Sequence, residues 1–413
     1  MATSSSPTIP DQPANKLWTP DFVFNLLTAH FLFASYTSLF TIIPPYVLDR
    51  GGQEWQLGIV VGSFGLVGLL IRPFAGRWTY EFGAKRLVIW GTIVFAVASL
   101  LYIPAPNVWM LVPVRILQGI GLALAPVATS TIVVNLAPER RRAEAMSYMG
   151  NAIAVSNLYA PVLAFWLLSR FGFTSSFLFS AGTGLLGVVL AMGMSSTRIN
   201  ARAASPSVDS NVKIPLIAGG AIFPTIIFLS YTLTTAPVNT FLPLLALERS
   251  LGNPGLYFTV FSLTSMLSML ISGAVSDRVG RATVIIPGLF LTAVAMFMLM
   301  GADNRAMFLS AGFLSGVGFG LIQPGIQSLV VDRVPARERS AALATLQQAW
   351  DIGGSGGSFL MGPIGGALGI GATFAMVGVG ALTGTFGFAI GNTRKRAGDD
   401  EVSVEPGDTA GPS

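Results

Sequence analysis

Residues 273–281 read GAVSDRVGR, and the stretch 197 positions earlier, residues 76–84, reads GRWTYEFGA. The same shift aligns further residues without a gap: Gly119 with Gly316, Gly121 with Gly318, Pro138 with Pro335, Arg142 with Arg339, Gly172 with Gly369 and Phe177 with Phe374. A repeat of this length in an apolar chain predicts two copies of one membrane helix bundle. Parallel repeats of that kind are typical of secondary transporters, in which the substrate site lies between the two halves.

The composition indicates a membrane protein without metal or thiol chemistry. The chain has 413 residues, a mean hydropathy of +0.67 and only 10% charged residues, whereas a soluble protein carries roughly a quarter. It contains no cysteine and a single histidine, which excludes disulfides, thiolate catalysis and multi-histidine metal centres. The net charge of +5 falls in short loops between apolar runs and does not indicate nucleic-acid binding. We therefore expect no cofactor, no metal and no nucleic-acid partner.

Twelve apolar runs are each long enough to cross the roughly 30 Å hydrocarbon core of a bilayer as a helix. They lie near residues 21–47, 55–75, 86–104, 108–135, 144–169, 174–194, 214–246, 255–275, 282–301, 306–331, 341–367 and 369–391. The first and seventh runs exceed one bilayer thickness and contain prolines, so we expect them to be tilted or kinked. The predicted fold is an all-α membrane protein with twelve transmembrane helices in two pseudo-symmetric six-helix bundles.

The domain boundaries follow from the same pattern. The first twenty residues are polar and rich in Ser and Pro without a signal-peptide pattern, so the first apolar run is predicted to stay in the membrane. We expect a disordered cytoplasmic tail at 1–20, an N-terminal bundle at 21–194, a cytoplasmic linker at 195–213, a C-terminal bundle at 214–392 and a second disordered cytoplasmic tail at 393–413.

The distribution of Lys and Arg predicts which ends of the spans face the cytoplasm. With both termini inside, most basic residues lie in the tails and inner loops, as the positive-inside rule requires. Four exceptions fall on the outer side: Arg50, Arg170, Arg249 and Arg305. Two more, Arg72 and Arg115, fall at or inside the membrane. The inverted orientation would break the rule in every large loop. We therefore predict a multi-pass protein of the cell membrane with both termini in the cytoplasm.

The motif at 273–281 carries a resemblance to a known family. Its Gly and charged residues resemble the loop signature of the major facilitator superfamily: Gly273, Asp277, Arg278, Gly280 and Arg281. The twelve spans and the duplicated halves resemble that superfamily over nearly the whole chain. Glycines permit a tight turn at the membrane surface, and a carboxylate there can face the N-terminus of a neighbouring helix.

The resemblance implies that this loop is a latch. Asp277 would face the start of the fifth span, around residues 142–145, and hold the cytoplasmic side shut. The alternative is that these are solvated loop charges. In the first-half copy Tyr80 and Glu81 replace the Asp-Arg pair, so the two halves would contribute unequally.

The fourth span carries Arg115, Gln118 and Gly119 in an order that resembles the R-xx-Q-G signature of proton-coupled antiporters in the superfamily. Arg115 lies about a third of the way into the membrane at ~1.5 Å per residue, where a charge needs a polar partner or a water-filled cavity. The resemblance implies a role in proton transfer, and the alternative is a structural arginine that binds carbonyl groups of the first helix. The fifth span keeps Pro161 of the antiporter signature, but Ser and Ala replace its glycines, which weakens the antiport assignment.

Two titratable residues are predicted deep in the membrane. Asp351 is the one acid far inside any apolar run, about ten residues into the eleventh, and His30 lies at a similar depth in the first. An intramembrane carboxyl group is a functional-site hypothesis by default, and loss of hydration suits it to reversible proton binding near neutral pH. We predict Asp351 as the leading proton carrier and His30 as a second candidate. The alternatives are a packing role in each case.

If the family geometry holds, the first, fourth, seventh and tenth spans line the substrate cavity. The candidate contacts on these spans are Asn25, Tyr36, Thr37, Tyr231, Thr234, Asn239 and Gln323. The spans are otherwise rich in Phe, Leu and Met, with 28 Phe in the chain. A cavity with few charges suits an amphiphilic or weakly polar substrate better than a polyanion.

The resemblance implies a secondary transporter most like the drug:proton antiporter group, which exports small amphiphilic molecules in exchange for protons. We expect it to act as a monomer in the lipid bilayer. The alternative is a proton symporter or uniporter for a sugar, organic acid or other metabolite, which the altered fifth span favours and the Arg115 segment opposes. A membrane enzyme would need a convergent nucleophile or metal set that this composition does not supply. A receptor should carry an appended domain or a long recognition loop, and the longest internal linker is 195–213.

Overall fold

The computed structural model describes residues 17–138, 141–195, 219–335 and 339–402, and every regular element within these ranges is a helix. Spans 1 to 6 are Pro20–Ser38 with Ile43–Asp49, Glu54–Phe82, Ala84–Leu101, Leu111–Leu136, Arg142–Phe171 and Phe173–Met192. Spans 7 to 12 are Ile222–Thr232 with Thr235–Glu248, Gly255–Val279, Ala282–Met300, Arg305–Asp332, Arg339–Trp350 with Gly357–Leu368, and Ile370–Val402. Helices satisfy all their backbone groups internally, which lipid requires. The predicted all-α fold class is confirmed.

Successive spans run in opposite directions, so the bundle has two faces. We call the face at which span 1 begins the terminus face and the opposite one the far face. Short 3₁₀ turns, Val108–Met110 and Gly219–Ala221, precede spans 4 and 7. The domain boundaries stay predictions, because most of the linker and the tails lie outside the described residues. The helix of span 12 continues to Val402, beyond the predicted end of the bundle at 392.

Eleven of the described helices are long and apolar enough to cross a membrane, and span 11 is not among them. It is divided into Arg339–Trp350 and Gly357–Leu368, of 12 residues each, by a π-helical stretch at Asp351–Gly356. Three of the six residues in that stretch are glycines, which are poor helix formers. The Thr232 hydroxyl of span 7 donates to the Ala349 carbonyl at 2.7 Å, so a neighbouring span binds the chain just before the irregular stretch.

Spans 1 and 7 are each built from two helices, and in both spans the break between the helices comes just before a proline. In span 1 the second helix has Pro44 in its first turn, where the missing N–H removes no helical hydrogen bond. In span 7 the break at Leu233–Thr234 precedes Pro237 in the same way. The two breaks therefore occupy corresponding spans of the two bundles, as a repeat requires.

The repeat is visible in the turns between spans. Gly83 and Gly280 have φ values of +88° and +106°, and Gly172 and Gly369 have +81° and +85°. Each pair is related by the same shift of 197 positions. Side chains rarely adopt these angles, so glycine is required at both copies of each turn.

One close helix crossing in each bundle has a glycine on both helices. A Cβ on Gly121 would lie 2.6 Å from the carbonyl O of Gly91, and the crossing of spans 9 and 10 repeats this with Gly318 and Gly288 at 2.7 Å. Spans 3 and 4 therefore touch backbone to backbone, which small residues permit in membrane bundles.

Replacing Gly121 by Val should destabilise the first bundle by about 1–3 kcal/mol, the usual cost of overpacking. The added side chain would press on the Gly91 carbonyl. The free energy of unfolding in SDS titration of the purified protein measures this. Gly182→Val is the matched control, because Gly182 is exposed and a Cβ there meets no atom within 4 Å. A Gly121→Val protein as stable as the parent would contradict the crossing.

Candidate transport cavity

A cavity of about 1320 Å³ lies between the two bundles. Spans 1, 2, 4 and 5 of the first bundle and spans 7 to 11 of the second contribute its walls. It reaches the terminus face between the ends of three spans, where Thr131, Val134, Met146 and Leu343 line it. Its volume is above the range of about 300–1000 Å³ that is usual for drug-sized ligands. A small organic molecule therefore fits inside.

The bundles touch each other at the far face, which closes the cavity on that side. Gly58 of span 2 packs against Gly362 of span 11, since a Cβ on Gly58 would lie 2.7 Å from the Gly362 Cα. Asn253, just before span 8, donates from Nδ2 to the Val162 carbonyl of span 5 at 3.1 Å. The cavity is thus accessible from the terminus face and shut at the far face.

An ion pair joins the two bundles in the wall of this cavity. Arg72 of span 2 donates from Nη1 to Oδ1 of Asp351 in span 11 at 3.1 Å. The Asp351 side chain is 10% exposed and that of Arg72 36%. Gly68, one turn before Arg72, leaves room for the carboxylate, because a Cβ there would lie 3.6 Å from Oδ1. An unpaired charge at this depth is costly, so each of the two residues makes the other tolerable.

One wall of the cavity consists of aromatic rings from four spans. The Phe319 ring stacks on Tyr231 at 5.5 Å and on Phe261 at 5.6 Å between ring centres. Trp350 meets Phe319 edge-on at 5.9 Å. Because Trp350 immediately precedes Asp351, this aromatic wall adjoins the ion pair. The cavity thus offers apolar ring surface next to a charged pair.

Arg115 lies in a buried hydrogen-bond network inside the first bundle. Its Nε donates to the Val60 carbonyl at 3.3 Å, and its Nη1 donates to Oε1 of Gln118 at 3.2 Å. The same Oε1 accepts from the Tyr102 hydroxyl at 2.7 Å, and Nε2 of Gln118 donates to Oγ of Ser99 at 3.1 Å. The structural alternative for Arg115 expected it to bind carbonyl groups of span 1. That expectation is wrong in its partner, because the carbonyl that Arg115 binds belongs to span 2.

The side chain of Arg115 is separated from the large cavity by an aromatic ring. Its guanidinium lies 4.6 Å from the centre of the Phe64 ring, which stacks on Tyr36 at 5.3 Å. A smaller cavity of about 20 Å³ touches Arg115, Tyr36 and Asn239. Gly119, next in the predicted motif, packs closely on span 2, since a Cβ there would lie 2.6 Å from the Phe64 carbonyl O. A direct contact between Arg115 and a bound substrate therefore requires rearrangement.

His30 binds span 5. Its Nδ1 lies 2.8 Å from the Ala152 carbonyl O, and its Nε2 lies 3.0 Å from the Tyr159 hydroxyl. With a single proton on Nδ1, the ring donates to the carbonyl and accepts from the tyrosine, so both nitrogens are satisfied. Its role in proton transfer stays a prediction.

Pro161 lies one helical turn beyond Asn157, which lines the cavity. The Pro161 carbonyl accepts a hydrogen bond from the Thr41 hydroxyl of span 1 at 3.1 Å.

Five of the seven predicted substrate contacts line the cavity: Tyr36, Thr37, Tyr231, Thr234 and Asn239. The other two do not line it. Asn25 is fully buried inside the first bundle, where its Nδ2 donates to the Thr129 carbonyl of span 4 at 3.0 Å. Gln323 is half-buried in span 10, and its Oε1 has no partner among the described residues.

The predicted latch loop joins span 8 to span 9 at the terminus face. Arg281 binds Asp332 at the end of span 10, with 3.0 Å between Nε and Oδ2. Arg278 is exposed, and a Cβ on Gly273 would meet no atom within 4 Å. The side chain of Asp277 lies outside the described part of the chain, so its contact with span 5 stays a prediction.

Arg72 and the aromatic wall are site features that were not predicted from the sequence. Its position inside the membrane was a signal for Arg72, since such a charge needs a partner. No local pattern links it to Asp351, because spans 2 and 11 are far apart in the chain. The wall residues Phe261 and Phe319 are two among 28 Phe, and periodicity does not separate cavity-facing rings from lipid-facing ones.

A double-mutant cycle of Arg72→Met and Asp351→Asn should show a coupling free energy of about 1–3 kcal/mol, because the two groups bond directly in a largely buried site. SDS unfolding of the two single variants and the double variant measures it. Arg281→Met with Asp332→Asn is the matched control, with an expected coupling of about 0–1 kcal/mol for a more exposed pair. Equal, small couplings in both cycles would contradict the ion pair.

Comparison with known proteins agrees with this architecture. The sequence model of the Major Facilitator Superfamily matches residues 26–252 and 223–406. A multi-drug resistance efflux pump PmrA homolog of Lactococcus lactis is 23% identical over 348 residues, which cover 81% of this chain and 86% of that protein. A multidrug resistance protein B homolog of Mycobacterium tuberculosis is 24% identical over 381 residues, with coverage of 76% and 70%. The multidrug resistance protein MdtL of Salmonella heidelberg is 28% identical over 301 residues, with coverage of 68% and 74%.

Solved structures share the fold at low sequence identity. A peptide transporter, POT, superimposes with a TM-score of 0.73 at 13% identity over 90% of this chain and 94% of its own. The nucleoside transporter NupG gives a TM-score of 0.70 at 13% identity over 89% and 98%. The family and these relatives are transporters, not enzymes. With its twelve helical spans, its repeated bundles and a family match along most of its length, this chain belongs to the Major Facilitator Superfamily and is a multi-pass secondary transporter.

Proposed function

We propose that this transporter exports small amphiphilic compounds in exchange for protons, by exposing the cavity alternately to the two sides of the cell membrane. The observation that supports the proposal is the Arg72–Asp351 ion pair, in which a carboxyl group lies between the bundles and in the cavity wall. We take this carboxyl group as the acid that binds and releases the proton. Three relatives named as multidrug resistance or efflux proteins support a drug-like substrate.

The chemistry of the cavity supports an amphiphilic substrate. Aromatic rings such as Phe319 and Trp350 offer faces on which many flat apolar groups can stack. Among the lining residues only Arg72 and Asp351 carry a charge, and the guanidinium of Arg72 is already bound to Asp351. A polyanion would find little compensation there for its lost hydration.

The charge distribution supports cytoplasmic termini. The described residues near the terminus face include six basic ones: Lys85, Arg86, Arg141, Arg278, Arg281 and Arg333. The far face carries four: Arg50, Arg170, Arg249 and Arg305. Under the positive-inside rule the terminus face is cytoplasmic. The cavity then opens to the cytoplasm, which is the state in which an exporter takes up its substrate.

The ion pair links proton binding to the position of the bundles. A proton on Asp351 removes the negative charge that holds Arg72, so the contact between spans 2 and 11 weakens. In the state open to the outside, Asp351 takes up a proton as the substrate leaves. In the state open to the cytoplasm, Asp351 releases the proton and pairs with Arg72, as in the structure. Substrate and proton thus disfavour each other's binding, and such coupling is reciprocal.

Arg115 acts at the closed end of the cavity in this scheme. Through Val60 and Gln118 it fixes spans 2 and 4 relative to each other, and it keeps a positive charge near Tyr36. The latch loop acts at the other end. Asp277 would bind the start of span 5 when the cytoplasmic side closes, while Arg281 anchors the loop to span 10. The whole pathway lies between bundles of one chain, which supports a monomer as the working unit.

Substrate-induced proton release tests the exchange directly. In acid-loaded everted vesicles, an exported amphiphile should dissipate the proton gradient, and Asp351→Asn should reduce this signal to that of vesicles without the protein. The variant carboxamide carries no exchangeable acid proton. Fluorescence of a pH indicator dye measures the gradient while ethidium and other aromatic cations are screened.

Asp303→Asn is the control, because Asp303 lies in the exposed loop before span 10 at the far face. Full release by the Asp351→Asn protein at normal membrane levels would remove Asp351 from the mechanism. If no amphiphile responds, but a sugar or organic acid accumulates with the proton gradient in right-side-out vesicles, the protein is a symporter.

The orientation is testable by thiol labelling, since the native chain has no cysteine. Cysteine at Ser130, in the cavity wall, should react with a membrane-impermeant thiol reagent faster in everted vesicles than in intact cells. Cysteine at Ser169, exposed at the far end of span 5, should show the reverse. The opposite pattern would contradict cytoplasmic termini.

The same assay tests the latch. Asp277→Asn should increase the labelling of cysteine at position 130 in everted vesicles, because a weaker latch leaves the cytoplasmic side open longer. Arg305→Gln at the far face is the control and should leave the rate unchanged. An unchanged rate in Asp277→Asn would count against the latch.

A further inference from the structure

The second bundle contains a polar recess that the proton exchange does not use. It is formed by Tyr257 and Ser262 of span 8, Thr292 of span 9 and Ser315 of span 10, all of which line the cavity. These residues are only 1%, 2%, 1% and 3% exposed. Four hydroxyl-bearing residues from three spans thus line the cavity on the side of the second bundle, and we call this group the hydroxyl recess.

Two of the four hydroxyls have unused hydrogen-bonding capacity. Tyr257 donates to Oγ of Ser315 at 2.9 Å, and Thr292 donates to the carbonyl of its own helix at Gly288 at 2.9 Å. The Ser262 hydroxyl has no hydrogen-bond partner among the described residues. Ser315 accepts from Tyr257, and no acceptor for its own proton is described. Buried polar atoms are nearly always paired, so two free donors in a cavity wall point to a ligand.

The two free donors lie beside the crossing of spans 8 and 10. Gly316 meets the Phe261 carbonyl so closely that a Cβ on Gly316 would overlap it. Ser262 follows Phe261 in the chain, and Ser315 precedes Gly316, so the hydroxyls flank this contact. The ring of Phe261, stacked on Phe319 at 5.6 Å, adjoins them. The recess therefore combines hydroxyl donors with an aromatic surface.

The repeat shows that this recess is the uncharged counterpart of the Arg115 network. The shift of 197 positions places Ser315 on Gln118 and Gly312 on Arg115. Tyr257 packs on Gly312, since a Cβ there would lie 3.1 Å from the Tyr257 ring. In the first bundle the polar groups bind each other, whereas in the second the described groups are neutral and incompletely paired. The two bundles therefore differ in what they can bind.

We propose that the hydroxyl recess is a substrate subsite for a neutral hydrogen-bond acceptor, such as a ketone, amide or ether oxygen, carried by an aromatic compound. Ser262 and Ser315 donate to the acceptor, while Phe261 and Phe319 hold the attached ring. The recess contains no carboxylate or cation among the described residues, which disfavours an ionised group. The inference deepens the proposed efflux function and rests on it for the identity of the cavity as the substrate site.

Binding of 9-fluorenone and fluorene tests the subsite, because the two tricyclic compounds differ by one carbonyl group. Equilibrium dialysis of the tritiated compounds against the full chain in lipid nanodiscs, with empty nanodiscs subtracted, measures both affinities. We expect the protein to bind fluorenone about tenfold more tightly, as one hydrogen bond of about 1.4 kcal/mol gives. Ser262→Ala with Ser315→Ala should abolish this preference without weakening fluorene.

Ser265→Ala is the matched control. Ser265 lies one turn beyond Ser262 and is also buried, but its hydroxyl donates to the Ser262 carbonyl at 2.9 Å and does not line the cavity. This variant should keep the preference for fluorenone. If the double variant also binds fluorene more weakly, the two single variants are measured instead. Each single variant should then show a smaller preference for fluorenone and an unchanged affinity for fluorene.

Absence of fluorenone binding, equal affinities for the two compounds, or a preference kept in the double variant would each overturn the subsite. The assay uses no proton gradient, so its failure leaves the exchange proposal standing. Loss of proton release in the vesicle assay would in turn leave a measured fluorenone preference intact.

Discussion

Two opposite charges inside the membrane must stay together, and the relation between the bundles depends on this constraint. Arg72 and Asp351 belong to different bundles and bond at 3.1 Å. Neither could be left alone at low cost in an environment that solvates charges poorly. Their contact is possible because spans 2 and 11 approach closely along a line of small residues that begins at Gly58 and Gly362. The protonation state of one carboxyl group therefore bears on how the bundles are joined.

The repeat preserves the helical frame of the protein, meaning its turns and helix crossings, but not its polar and charged side chains. Glycines at the turns and at the crossings of spans 3 with 4 and 9 with 10 occur in both copies, because backbone contact at those places tolerates nothing larger. The ion pair occurs once, since the shift of 197 positions places Met269 on Arg72 and Asp351 on Ala154. An asymmetric set of polar residues on a symmetric frame allows one bundle to carry charge and the other to present neutral groups.

Sequence patterns predicted the frame because membrane helices leave long apolar runs and repeats leave a constant shift. They also predicted that Asp351 is deep in a span, whereas the prediction that Tyr36 and Tyr231 belong to cavity-lining spans came from the resemblance to the family. They did not predict the partner of Asp351, since contacts between distant spans depend on how the bundles pack. The π-helical stretch in span 11 was also missed, because a run of glycines does not by itself distinguish a packing face from a break. Asn25 was predicted to contact the substrate because it is a polar residue on a lining span. Its side chain instead binds the Thr129 carbonyl inside its own bundle.

In the proposed exchange, substrate binding displaces a proton from Asp351. Infrared difference spectroscopy of the reconstituted protein, with and without a transported compound at constant pH, observes this proton directly. The carbonyl band of the protonated carboxyl group should decrease when the compound is added, and this change should be missing in Asp351→Asn. The same decrease in Asp351→Asn, or no change in the parent protein under conditions of transport, would contradict it.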